Sequence, residues 1–290
     1  MTDLPFGSVT KPGVIHLAGV IQLKLNLFDS HVHSVQSHDG RDTTGEICAW
    51  ALDHGVMGVC VTDHFECDIP DQQADIGKTL RETALLQEKN KGRIRLTRGV
   101  ELAQGHLLPE TASGLLDKLD FDFVLGSVHC AAPGTDIGVI DFNDPAVRVS
   151  EVLDAYFRSS YEMAKWGRFD AMAHFGYPER YIWGKYRIPV NFLPYEDLIQ
   201  ETLRLLAEGG KGLEVNTSGY RQGLGKTIPV LGILKRYYQL GGRTVTLGSD
   251  AHRAEDIAAD FDVAMDILTG IGFQYFAFYR ERQPVMLKLI

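Results

Sequence analysis

The chain has 290 residues, 44% of them hydrophobic, and 38 acidic against 29 basic side chains leave a net charge of −9. So much apolar content supports a large buried core, expected here as one domain over 1–290, while the negative balance gives no general attraction to nucleic acid or an anionic membrane. Four cysteines without framework spacing, no apolar run long enough for a span and no basic-then-apolar start lead us to expect a soluble, cytoplasmic protein with reduced thiols.

In chain order, residues 1–21 are punctuated by Pro5, Gly7, Pro12, Gly13 and Gly19 and predict an irregular extension. Gln22 to Leu27 alternates polar and apolar side chains, predicting a strand that runs into LFDSHVHSVQSHDG at 27–40. Residues two apart on a strand face the same way, so His31 and His33 present two imidazoles to one point past the strand end. Asp39 then offers a carboxylate. Thr43-Thr44-Gly45-Glu46 opens a helix that Gly55 closes, with a hydroxyl cap at one end and glycine at the other. A buried strand over 58–62 ends in Asp63-His64, and a polar helical stretch over 72–91 leads to a strand over 94–100 that ends in Glu101. The strand over 121–127 ends at His129. A longer helix over 144–166 precedes a strand over 170–173 and then His174. Further helices over 195–208 and 229–240 lead to strands over 212–215, ending in Asn216, and 244–248, ending in Ser249-Asp250-Ala251-His252. The segment 273–290 is strand-like and reads either as an eighth strand or as a flap across the barrel.

Seven short apolar strands alternating with helices imply right-handed βαβ units and a parallel sheet, so the expected fold is α/β, a closed or nearly closed barrel. In such barrels the site lies at the C-terminal strand ends. His31, His33, Asp39, His64, Glu101, His129, His174, Asp250 and His252 all fall there. Taken singly, His129 or His174 reads equally well as a core histidine and Asp250 as a helix cap; their joint placement argues for metal ligands. Six imidazoles and three carboxylates suffice for three divalent ions if one carboxylate bridges, giving a positive pocket suited to a phosphate. Zinc, manganese and iron all accept such donors. His16, His38, His54 and His106 fit no strand-end pattern and read as ordinary loop or surface residues.

The motifs His31-Val32-His33 with Asp39, Thr62-Asp63-His64, Gly99-Val100-Glu101, Gly126-Ser127-Val128-His129, Ala173-His174 and Ser249-Asp250-Ala251-His252 resemble, in order, those of the polymerase-and-histidinol-phosphatase (PHP) superfamily. Leu213 to Arg221 resembles its histidinol-phosphate phosphatase branch. The resemblance implies a distorted seven-stranded (β/α) barrel with a trinuclear site at the C-terminal strand ends, in which His31, His33, Glu101 and Asp250 hold one ion, Glu101 bridges to a second held by His129 and His174, and Asp39, His64 and His252 hold the third. His38 beside Asp39 leaves the register of that last ligand open between the two.

It further implies a metal-dependent phosphomonoesterase acting on L-histidinol phosphate in histidine biosynthesis. Arg221, with its planar pair of donors, is the first candidate phosphate clamp, and Arg180 and Lys226 are others. Asp63 joins Glu101 and Asp250 as a candidate catalytic carboxylate, either ordering a ligand histidine or capping a loop, and Glu66 either faces a substrate amine or is exposed. The expected partner is a small phosphate monoester, with no nucleic acid and no membrane. Competing readings are a phosphoesterase of the same superfamily acting on nucleotides or phosphotyrosine, and a metal-binding regulatory module without turnover.

Overall fold

The computed structural model describes residues 24–289, so the expected N-terminal extension lies outside the described residues. Seven strands pair in sequence order, each parallel to the next: β1 (Lys24–Val32), β2 (Val56–Val61), β3 (Arg95–Ala103), β4 (Phe123–Ser127), β5 (Ala171–Met172), β6 (Gly212–Asn216) and β7 (Val245–Gly248). β2 breaks at Thr62-Asp63 and resumes as a short strand, His64–Glu66, that pairs the far half of β3 with His64 opposite Glu101. The break swings His64 in over the barrel end.

β1 and β7 close the ring without a continuous ladder. Val32 bridges to Ala251, the Asp250 amide donates to His31 O at 2.9 Å and the His33 amide to Ala251 O at 2.8 Å. Where the ladder is missing, the buried Asp29 carboxylate on β1 accepts from the Ser249 amide at 3.0 Å, the Ser249 hydroxyl at 2.5 Å and the Ala258 amide at 2.8 Å. The segment that carries Asp250 and His252 is thereby pinned to the strand that carries His31 and His33.

The strands are largely buried, with apolar side chains in the majority, because helices cover the sheet from outside. Val152, Leu153 and Phe157 of the helix Val149–Trp166, and Ile199, Leu203 and Leu206 of the helix Glu196–Glu208, are buried in the core cluster around β4 to β6. Each such side chain contributes about 1.5–3 kcal/mol by leaving water. The helix opened at Thr43 spans Thr44–Asp53 with a reciprocal Thr43–Glu46 capping box, and Gly55 follows at φ 68°. Among the described residues no helix is long and apolar enough to cross a membrane.

The C-terminal segment makes no eighth barrel strand. Tyr275–Arg280 and Gln283–Lys288 form a separate antiparallel pair. It covers the end where the barrel strands begin: Phe278 stacks on Phe28 at 4.4 Å, Tyr279 on Phe123 at 4.9 Å, and Arg282 pairs with Asp170. The opposite end is left open.

Candidate metal centre

At that open end the strands deliver their polar termini to one place. His31 and His33 leave β1 on one side, their Nε2 atoms 2.9 Å apart. Glu101, inside β3 and fully buried, stands at the centre. Its Oε1 lies 3.1 Å from His129 Nε2 and 2.8 Å from His174 Nε2, while its Oε2 lies 3.3 Å from His31 Nε2, 3.5 Å from His33 Nε2 and 3.0 Å from His64 Nδ1. Each carboxylate oxygen thus faces its own set of imidazoles. Asp250 Oδ1 lies 3.4 Å from His33 Nε2, and Asp250 Oδ2 accepts from Arg180 Nη1 at 2.5 Å.

All nine residues expected at strand ends come together here. Asp39 is the most open, 42% exposed, with Oδ2 2.9 Å from His252 Nε2 and Oδ1 3.7 Å from His64 Nε2. His38 Nδ1 lies 3.9 Å from Asp39 Oδ1 and its ring 5.4 Å from that of His64, while Asp39 reaches both His252 and His64 by its carboxylate. His174 and Asp250 sit at φ 21° and 56°, left-handed backbone that costs on the order of 1 kcal/mol each for such residues. The His174 amide donates to Glu214 Oε2 at 2.7 Å, which holds one of these turns in place.

Two carboxylates stand behind the rings. Glu214 on β6 takes His31 Nδ1 at 2.6 Å, and Glu66 takes His129 Nδ1 at 2.7 Å, fixing which nitrogen each ring turns towards the centre. Glu214 reaches His31 only because residue 248 is glycine: a Cβ there would stand 2.1 Å from Glu214 Oε1 and 2.7 Å from the His31 Cβ. Glu214 has no role among the expectations from sequence, although a lone carboxylate inside the apolar run Leu213 to Val215 is a signal for one. Glu66, expected at a substrate amine or in solvent, is buried against His129.

Burial disfavours charge on all these groups, and their neighbours decide which keep it. Against burial, Glu101 and Glu66 lift His64 to about 10, and carboxylate neighbours also raise His31 and His129. Burial holds His33 well below its ordinary value, helped by His64 and His252, and it lowers His174. Burial would raise Glu66, yet His129 brings it to about 2; Glu101 is likewise driven well down by His31 and His129, and Asp250 by Arg180 and His31. Such a cluster asks for more positive charge than its side chains carry. Glu101 Oε2, His64 Nδ1 and Asp39 Oδ1 are buried without a hydrogen bond, and groups of three donor atoms lie within 4.8 Å of one another, among them His31, His33 and Glu101; His64, Glu101 and His129; and His33, His64 and His252. The donor set therefore fits divalent metal, which takes the place of protons on such rings.

A cleft of about 660 Å³ opens over the cluster. Arg180 and Arg221 both line it. Arg180 is buried beneath Tyr177, its guanidinium 4.7 Å from that ring, and Arg221 donates from Nη2 to Ser249 O at 2.7 Å while its Nη1 has no partner. Two expected site residues are placed elsewhere. Lys226 is absent from the cleft lining because Glu179 Oε1 holds its ammonium at 2.8 Å. Asp63 is also absent from it: fully buried, it accepts from the Ser34 amide and hydroxyl at 2.6 and 2.7 Å, from Ser37 Oγ at 2.8 Å and from Thr79 Oγ1 at 2.6 Å. Ser37 Oγ lies 3.2 Å from His33 Nδ1, so Asp63 orders His33 through a serine.

The model of the PHP domain matches residues 29–218. A protein named "probable histidinol-phosphatase" from Thermotoga maritima is 29% identical over 251 residues, covering 87% of this chain and 95% of its own. The histidinol-phosphatase of Lactococcus lactis subsp. lactis is 26% identical over 259 residues, covering 86% and 93%. Among solved structures, histidinol phosphate phosphatase from Lactococcus lactis, complexed with zinc, L-histidinol and phosphate, shares the fold with a TM-score of 0.75 over 90% of this chain and 100% of that one, at 22% identity.

Proposed function

The chain belongs to the PHP domain family, and from that premise we propose that it is a divalent-metal-dependent phosphomonoesterase that hydrolyses L-histidinol phosphate to L-histidinol and phosphate in histidine biosynthesis. The observation that carries the proposal is Glu101, whose two oxygens address different imidazole sets across the middle of the cluster. A carboxylate so placed is built to bridge two cations. His31, His33, Glu101 and Asp250 would hold one ion, Glu101 with His129 and His174 a second, and Asp39, His64 and His252 a third. The crowding of His31, His33 and Glu101 donor atoms supports the first group directly. Zinc accompanies the Lactococcus lactis relative, and manganese and iron suit the same donors.

Divalent ions bound there supply Lewis acidity and positive charge to a phosphate group. The chain's own part is to orient and to hold. Glu214 and Glu66 aim the His31 and His129 rings, Arg180 fixes the Asp250 carboxylate, and Arg221 offers its unpartnered Nη1 to a phosphate oxygen. The four cysteines are free and buried, which suits work in the reducing cytoplasm.

The test is phosphate release by protein of known metal content from L-histidinol phosphate, nucleoside monophosphates and phosphotyrosine. Preference for L-histidinol phosphate supports the proposal. Preference for either of the others assigns the site to a different phosphoester.

A further inference from the structure

The cleft is lined by seven carboxylates among the described residues, and six of them are engaged. Glu66 and Glu101 are taken by imidazoles, Asp39 by His252, Asp250 by Arg180, Asp256 by Arg221 and Glu255 by Arg253. The seventh, Asp136, has no ion pair among the described residues. It is nevertheless held in place: its Oδ1 accepts from the Gly138 amide at 2.5 Å and from the Tyr177 hydroxyl at 3.2 Å.

Its position is also tied to the metal centre. Asp136 pairs with Cys130 in a short hairpin that springs directly from His129, and the Ile137 amide donates to His129 O at 2.8 Å. Tyr177 connects the two places, its ring 4.8 Å from that of His129 and 5.0 Å from that of His174, and its hydroxyl on Asp136. Gly138 lets the turn close, since a Cβ there would come within 2.9 Å of the Tyr181 ring and 3.0 Å of the Asp136 carboxylate. One phenol ring therefore separates an uncompensated carboxylate from the rings that face the reacting phosphate.

Resting on the phosphatase reading above, we propose that Asp136 is the selectivity residue of this cleft, pairing with the primary ammonium of an amino-alcohol phosphate. A free imidazole titrates at about 6.5 and is mostly neutral at pH 7, whereas a primary ammonium carries its full charge there. The ammonium is the constant cation of such a substrate. In a β-amino alcohol phosphate it sits on the carbon next to the esterified one, a few bonds from phosphorus.

Asp136→Asn tests this, because asparagine keeps the turn-capping oxygen and removes only the charge. The measured quantity is kcat/KM for L-histidinol phosphate relative to that for p-nitrophenyl phosphate, which has no cation, with O-phosphoethanolamine as an ammonium-bearing ester without imidazole. Both ratios should fall by roughly 10- to 100-fold, the usual range for a charge-assisted contact. Tyr177→Phe, which removes the hydroxyl that holds the carboxylate, should lower them in part. Unchanged ratios, or an equal loss on all three esters, overturn the proposal. So does a fall for L-histidinol phosphate alone, which would move the contact to the imidazole. Wild-type protein that turns over none of the esters sinks the phosphatase reading itself, and this inference with it.

Discussion

Arg221 does two things with one guanidinium. Its Nη2 holds the Ser249 carbonyl just before Asp250, and its Nη1 is buried without a hydrogen bond among the described residues. If that Nη1 meets phosphate, Arg221→Ala raises KM and lowers kcat/KM by roughly ten-fold to more than a hundred-fold, with metal content intact. Arg221→Lys should recover only part, since an ammonium cannot reproduce the two-donor fork. Metal analysis beside the kinetics decides: loss of metal in Arg221→Ala would show that the arginine matters through the segment carrying Asp250. Glu214 makes a different prediction. Glu214→Gln loses the charge that fixes the His31 tautomer, so metal affinity should fall about 10- to 100-fold while the fold persists. Equal metal affinity in the variant, measured by competition with a chelator, would contradict that role.

At the scale of elements, the barrel strands were legible because both their faces are buried, which writes them as apolar runs, and because their ends carry histidines and carboxylates that no core needs. What escaped had weaker signals. The helix Phe261–Ile271 starts from Asp260 at φ 59°, and the aspartate at its start makes no capping hydrogen bond. The hairpin after His129 is short and largely exposed, yet it carries Asp136. Lys226 departs from its expected place because sequence shows the residue type but not the partner, here Glu179, while Asp63, held by four donors, orders His33 through Ser37.

His106, read as an ordinary loop residue, joins the loop after β3 to the helix Val149–Trp166 through Ser159 Oγ, 2.8 Å from its Nε2. Burial lowers its pKa from 6.5 to about 4, so the folded chain keeps it neutral where the unfolded chain would protonate it. Its contribution to stability is therefore present above pH 6.5 and lost as pH falls through 4. In thermal melts, the Tm difference between wild type and His106→Gln should move in the variant's favour across that window. A difference that does not change with pH would show that the burial is not felt.

For the molecule as a whole, a net charge of −9 surrounds a centre whose rings and carboxylates call for cations, so an anionic ester is held by local charge rather than drawn in by the general field. Barrel closure serves that centre: Asp29 binds β1 to the end of β7, and with it the two His-bearing segments to one another. Because the core is large, the barrel should stay folded without metal, unlike a small zinc domain. Phosphate release from L-histidinol phosphate, followed as chelator-stripped protein is reloaded while bound ions per chain are counted, tests the central claim most directly. The account predicts a folded, inactive stripped protein whose activity returns with metal and levels off near three ions per chain; full activity in the stripped protein, or none after reloading, would contradict it.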